Sequence, residues 1–362
     1  MTSGYRAAVA LEAGHRVSLE RVAGRGPGPN EVLLDVTACG LCHSDVHFME
    51  GTSGTAFPYL LGHEVTGVVR EAGDEVTGVV PGDTVVVAPM VPCGECKQCR
   101  AGRAPACPRK LAQNPPVQLA DGRPANRVLG VGGLAEQVVI PERQVVKIDP
   151  RVPPEVAALL GCAVPSGFGA AVNTAATGPA DDVVVVGCGG VGLAAVAGAR
   201  FAGARRIVAL DANPAKLPMA RRFGATDVVD VTAVDDVAAA VRDLTGGNGG
   251  DVVIDAVGGR RTFEQCLTLR APGGRMVMVG APAMTDVAEV PLRPLFLTGG
   301  SVHISIWGDC RASRDLPRLA GLYLSGDLPL GEYVQETYGL DDAQTGYERL
   351  LSGEVLRPVV LP

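Results

Sequence analysis

Cys93, Cys96, Cys99 and Cys107 stand at a C-x2-C-x2-C-x7-C spacing. Thiolates so placed can wrap one tetrahedral zinc at about 2.3 Å per sulfur, and four protein ligands leave no position for a substrate. The run reads as a closed, structural zinc site, with an iron–sulfur cluster or unligated thiols as the competing readings. A second concentration of reactive types is Cys39-Gly40-Leu41-Cys42-His43-Ser44-Asp45-Val46-His47. Two thiols, two imidazoles, a hydroxyl and a carboxylate so close together suit a metal or acid–base site. Gly62-His63-Glu64-Val65-Thr66-Gly67 adds an imidazole and a carboxylate between glycines. Alone, such a pair is usually solvated surface; beside the cysteines it gains a reason to be buried.

A third constellation has no titratable group at its centre. Val183-Val184-Val185-Val186 reads as a strand buried on both faces, because β-branched residues fill a doubly covered parallel strand. It runs into Gly187-Cys188-Gly189-Gly190-Val191-Gly192, a G-x-G-x-x-G turn, and an alanine-rich helical segment to Phe201. In that pattern the first glycine makes a tight turn, the second admits a pyrophosphate to the backbone, and the third lets helix pack on strand. The phosphates then meet free N–H groups at the helix start. A second strand, Arg206-Ile207-Val208-Ala209-Leu210, ends in Asp211, placed to hydrogen-bond an adenosine ribose. That carboxylate should favour NAD over NADP, since it repels a 2′-phosphate.

The elements that carry these residues follow from pattern. A chain of 362 residues is too long for one ordinary core and suits two domains. Residues 5 to about 150 alternate short strands with Gly/Pro turns, as in Gly26-Pro27-Gly28-Pro29 and Val80-Pro81-Gly82-Asp83, and imply an all-β, barrel-like unit. Pro153-Pro154-Glu155 then opens a helix. Candidate strands at 183–186, 206–210, 227–229, 251–255, 275–279 and 301–306 alternate with helical segments and imply a parallel sheet. A tail from about 307, with a helix at 316–324 and a last strand at 357–361, returns to the first unit. Net charge is −7 with no basic run, which argues against a nucleic-acid partner. No apolar stretch is long enough for a bilayer and the N-terminal residues carry no apolar leader, so a soluble cytoplasmic protein is expected. Ten cysteines in a reducing compartment are read first as metal ligands.

Taken together, the motifs identify a family. Gly62-His63-Glu64-x-x-Gly67 followed by Ala72, the four spaced cysteines, the glycine-rich turn and Asp211-Ala212-Asn213-Pro214-Ala215-Lys216 resemble the zinc-dependent medium-chain alcohol dehydrogenases over essentially the whole chain. Cys39 to Asp45, Trp307-Gly308-Asp309-Cys310 and Gly353-Glu354-Val355-Leu356-Arg357 resemble the actinobacterial branch that includes mycothiol-dependent formaldehyde dehydrogenases. The resemblance implies an α/β fold of two domains. A GroES-like β-barrel catalytic domain over 1–164 would hold both zincs. A Rossmann domain, a doubly wound parallel sheet over 165–306, would hold NAD, and 307–362 would return to the catalytic domain.

The resemblance also implies roles. Cys42, His63 and Cys162 hold a catalytic zinc whose fourth position is open. Glu64 lies on or just behind the metal, and Asp45 orients His63. Ser44 takes the alcohol proton and His47 is the terminal base. His43 and Arg357 reach the cofactor phosphates, and Gly187, Gly189, Gly190, Val191 and Gly192 form the phosphate turn. Asp211 and Lys216 serve the ribose, Val257, Val279 and Ser305 line the nicotinamide end, and Ser166 is a further cofactor contact. Phe48, Met49, Pro89 and Trp307 are candidate pocket residues, and 108–135 reads as a long loop bordering the substrate entrance. The implied reaction interconverts primary alcohols and aldehydes through a zinc-held alkoxide and hydride transfer to NAD. The implied assembly is a homodimer, or a tetramer, paired through the strand at 301–306. Two alternatives stand beside this. A mycothiol-dependent formaldehyde dehydrogenase or S-nitrosomycothiol reductase would need basic residues at the pocket mouth, with Arg109, Lys110 and Arg123 as candidates. A zinc-stabilised NAD-binding sensor would need neither Ser44 nor His47.

Overall fold

The computed structural model describes residues 4–111 and 113–362. They divide into two units, Met1–Cys162 with Arg311–Pro362, and Ala163–Cys310. The boundaries expected at 164/165 and 306/307 thus fall at 162/163 and 310/311.

The first unit is built from two sheets. One has five strands in the order Ser18–Val22, Tyr5–Ala10, Tyr59–Leu60, Pro124–Arg127, Val117–Gln118. The other runs Val145–Lys147, Thr84–Val87, Glu64–Ala72, Glu31–Gly40, Arg357–Leu361, Val334–Gly339, with Gln137–Pro141 also paired to Glu31–Gly40. Alternation in the sequence decides what each strand buries. Val32, Leu34 and Val36 point into a core shared with Val65, Val85 and Ile140, while Asp35 between them is only half-buried. Residues 108–135 are not a loop throughout: Val117–Gln118 and Pro124–Arg127 form an antiparallel pair within the five-stranded sheet. The tail does return to this unit. Arg357–Leu361 inserts antiparallel beside Glu31–Gly40, with Val359 opposite Gly40 and Val360 opposite Cys39.

The second unit carries six strands, Asp182–Val186 (β1), Arg206–Asp211 (β2), Asp227–Asp230 (β3), Gly250–Asp255 (β4), Arg270–Met278 (β5) and Ser301–Ile304 (β6). They pair all-parallel in the order β3-β2-β1-β4-β5-β6, the order of a doubly wound dinucleotide fold. Every residue of β1 is buried. Because successive side chains point to opposite faces, both faces of the sheet centre are covered. β6 forms one edge, and Val302 and Ile304 are exposed on it. The neighbouring helix Leu292–Thr298 has no buried residue. Among the described residues no helix is long and apolar enough to cross a membrane.

Candidate metal centres and dinucleotide site

The ladder between Glu31–Gly40 and Glu64–Ala72 places Gly40 opposite Glu64. Chain direction then brings Cys42, just beyond one strand, beside His63, just before the other. Cys42 is the extended residue preceding the helix His43–Met49. Gly62 turns the chain into the second strand at φ +84°, and a Cβ there would lie 2.5 Å from the Leu134 nitrogen, so only glycine fits. Cys162 arrives from elsewhere, after the helix Pro154–Leu159. Gly161 permits the approach: a Cβ on it would stand 2.9 Å from Glu64 Cα.

The result is a cluster in which ligand atoms of Cys42, His63, Glu64 and Cys162 all lie within 4.8 Å of one another. Asp45 Oδ1 accepts the Gly62 N–H at 2.9 Å and faces His63 Nδ1 at 3.1 Å. With Nδ1 committed, Nε2 is left to act as a ligand. That atom is buried and has no hydrogen-bond partner among the described residues. An orphaned imidazole nitrogen beside two thiols is a set that zinc satisfies. Burial works against it, yet Asp45 and Cys42 hold the His63 pKa well above its ordinary value; a ligating imidazole must be neutral, so a bound cation would displace that proton. Cys162 and then His63 draw the Cys42 thiol well down, towards the thiolate that a metal needs.

Behind the cluster, Glu64 and Arg357 form an ion pair with side chains 0% and 4% exposed. Burial pushes the Glu64 carboxyl up to about 7 while Arg357 pulls it back. Sequence placed Arg357 on a cofactor phosphate, with a surface arginine as the plain reading; it is not at the surface. The 293 residues separating the partners carry no spacing signal, and the pair was not foreseen.

The second cluster is Cys93, Cys96, Cys99 and Cys107. A tetrahedron with bonds of about 2.3 Å has edges of about 3.8 Å. The sulfur separations are 3.5 Å for Cys96–Cys99, 3.6 Å for Cys93–Cys107, 3.8 Å for Cys96–Cys107 and 4.0 Å for Cys93–Cys99. None is a disulfide. The Glu95 backbone N–H leads in drawing the Cys93 thiol down to about 6, and Cys107 Sγ accepts two further N–H groups, from Cys93 and Arg109. The four thiols therefore fit a closed zinc site.

On the second unit, β1 ends at Val186 and the helix Gly190–Phe201 begins with Gly189 as its cap, which has no side chain to fill it. A Cβ on Gly189 would meet nothing within 4 Å. That open cradle faces uncapped N–H groups and fits a pyrophosphate. Gly187 takes φ +92°, and a Cβ on Gly192 would collide with the Gly187 carbonyl. Asp211, the last residue of β2, accepts the Cys188 N–H at 2.6 Å and the Asn213 N–H at 2.7 Å. Its carboxylate is thus fastened to the phosphate turn. Lys216 is half-buried in the short turn Pro214–Lys216.

The remaining expected residues divide. Val257, after β4, is 51% exposed and Val279, after β5, is half-buried. Ser166 is buried in the helix Ala163–Gly169. Ser305 is also buried, and its hydroxyl lies 2.7 Å from that of Thr174. Trp307 is buried, and Met49 is wholly enclosed in the first unit's core, so neither presents an open pocket wall within its own unit. Phe48 stacks edge-on against Tyr59. Ser44 and His47 share one face of the helix His43–Met49 at i,i+3. The His47 side chain is 35% exposed, 3.8 Å from Glu50; His43 is exposed at the start of that helix. The basic residues named for a thiol cosubstrate are engaged nearby: Arg109 with Glu95, Arg123 with Asp121, and Lys110 with the Pro105 carbonyl.

Comparison with known proteins bears on this arrangement. Residues 28–150 match the model of the alcohol dehydrogenase GroES-like domain, and 190–324 that of zinc-binding dehydrogenases. A Mycobacterium tuberculosis protein provisionally named alcohol dehydrogenase D is 36% identical over 366 residues, spanning 98% of this chain and 99% of its own. The S-(hydroxymethyl)glutathione dehydrogenase of Escherichia coli is 34% identical with the same coverage. Among solved structures, benzyl alcohol dehydrogenase from Acinetobacter calcoaceticus superposes with a TM-score of 0.92 at 28% identity, covering 99% of both chains. An alcohol dehydrogenase zinc-binding domain protein from Burkholderia ambifaria gives 0.93 at 32%, again over 99% of both.

Proposed function

We propose that this chain, which belongs to the zinc-dependent medium-chain alcohol dehydrogenase family, oxidises free primary alcohols to aldehydes and runs the reverse reduction. It is an NAD-dependent zinc oxidoreductase acting on CH–OH. The observation that carries the reading is the buried His63 Nε2, unpartnered among the described residues, beside Cys42, Cys162 and Glu64, in a three-ligand zinc set that keeps one position for substrate. When bound, zinc supplies the Lewis acidity that makes the alcohol proton labile, and NAD supplies the hydride acceptor.

The chain's own residues do the rest. Cys42, His63 and Cys162 would hold the catalytic zinc, and Cys93, Cys96, Cys99 and Cys107 the structural one. Asp45 fixes the His63 tautomer through Nδ1. Glu64, paired with Arg357, would lie beside the metal. Ser44 Oγ takes the alcohol proton, and His47 is the terminal base that releases it to water. Gly189 and the helix start bind the pyrophosphate, and Asp211 selects a ribose with a free 2′-hydroxyl. Arg109, Lys110 and Arg123 are spent on local partners, which leaves the thiol-adduct reading without its anchor. The unpaired edge of β6, with the exposed Leu292, Phe296 and Leu297 near it, supports a homodimer joined there. The location is taken as cytoplasmic, where thiol sites stay reduced. The test is NAD reduction by a panel of primary alcohols, with and without a thiol plus formaldehyde. Turnover on free alcohols supports the proposal, and turnover only with the thiol refutes it.

A further inference from the structure

Away from both metal clusters, the first unit carries a partly open cavity of about 260 Å³ lined by Tyr5, Ala23, Arg25, Val117, Arg127 and Val139, among others. It lies where the five-stranded sheet meets Gln137–Pro141 of the other sheet. Arg127 ends the strand Pro124–Arg127 and is 8% exposed. Its guanidinium carries five N–H donors, yet its hydrogen bond is to the Val139 carbonyl, at 2.7 Å. Its Nε is buried with no partner among the described residues. No carboxylate lines the cavity. The nearby acid, Glu31, is already gripped by Arg25 through two bonds of 2.5 and 2.8 Å and by the Gly28 N–H at 2.8 Å. Two guanidinium groups therefore face one carboxylate, and the surplus positive charge is the buried one. Arg25 and Arg127 lie within electrostatic range of each other and of the Tyr5 phenol.

A buried cation with an idle N–H donor is stabilised when an anion meets it. We propose that this cavity binds a small organic carboxylate, its oxygens on Arg127 and the Tyr5 hydroxyl and its apolar body against Val117 and Val139. The guanidinium fork matches a carboxylate, the apolar walls suit a short hydrocarbon, and the volume excludes a large ligand. Nothing in the catalytic reading uses these residues.

Thermal unfolding of the zinc-loaded protein tests this, with benzoate as the probe, chloride at equal ionic strength as the control and inorganic phosphate as the competitor chemistry. The expected result is a rise of about 2 °C or more with about 10 mM benzoate over chloride. The rise should vanish in Arg127→Met and in Ala23→Phe, which fills the cavity from an exposed position and leaves alcohol turnover unchanged. If Arg127→Met does not fold, Ala23→Phe decides alone. No rise over chloride overturns the proposal. So does a rise that survives Ala23→Phe, since benzoate would then sit elsewhere, at the metal for instance. A phosphate effect equal to that of benzoate overturns the carboxylate assignment.

Discussion

Asp45→Asn isolates the part of the catalytic site that the fold itself supplies. Asp45 touches no metal; it accepts the Gly62 N–H and fixes His63 Nδ1 through one oxygen. Asparagine keeps the shape and loses the charge. A carboxylate behind a ligating histidine is worth about 10- to 100-fold in metal affinity, or about 1.4–2.7 kcal/mol. There is a second cost. Asp45 Oδ2 is buried without a partner among the described residues, so the new amide –NH2 sits there as an unsatisfied donor, costing about 1–3 kcal/mol of fold stability. The assay is zinc release to a chromophoric chelator under native conditions. The Cys93–Cys107 site serves as an internal reference, because Asp45 plays no part in it. One zinc should leave at a chelator concentration about 10- to 100-fold lower than in the wild type, and the other at the wild-type concentration. Two releases unchanged from wild type would refute the claim that Asp45 supports the metal site through His63. Two releases weakened equally would mean general unfolding and refute the local argument.

Three further outcomes follow from the same geometry. Arg357→Met removes the buried cation of the Glu64 ion pair, so it should cost about 3–5 kcal/mol in urea unfolding; pairing it with Glu64→Gln should recover part of the loss, and a double variant worse than the single would contradict the pairing. Ser44→Ala should lower kcat by about 10²-fold or more with zinc content intact, measured by steady-state kinetics beside metal analysis; unchanged kcat removes Ser44 from the proton path. Asp211→Gly should cut the NAD-over-NADP preference in kcat/KM by about tenfold or more. It should also lower stability by about 1–3 kcal/mol, because the carboxylate holds the Cys188 and Asn213 amides; a variant with unchanged preference assigns cofactor choice elsewhere.

The sequence made local features readable and left distant ones hidden. Val183 to Gly192 announced strand, turn and helix because one local segment contains the whole motif, and β1 and the following helix lie there. The C-x2-C-x2-C-x7-C run was equally self-contained. β5 was harder. Expected at 275–279, it extends over Arg270–Met278, because a register shift lets the strand absorb Pro272-Gly273-Gly274. The segment 108–135 read as a loop since its strands, Val117–Gln118 and Pro124–Arg127, are too short and polar to show alternation. Within the site, the meeting of Cys42, His63 and Cys162 came from family resemblance and not from spacing, because sheet register and the Gly161 approach bring them together. The Glu64–Arg357 pair depends on a strand inserting from the far end of the chain, and no local pattern encodes that. The idle Nε of Arg127 is likewise a property of its burial.

The most direct test of the account is the rate of NAD reduction by primary alcohols on zinc-quantified protein, wild type against Cys162→Ala. The account predicts turnover in the wild type with about two zincs per chain. In the variant it predicts loss of one zinc, loss of turnover and retained NAD binding. Wild-type turnover in Cys162→Ala, or an inactive wild type that is fully loaded with zinc and binds NAD, would contradict it.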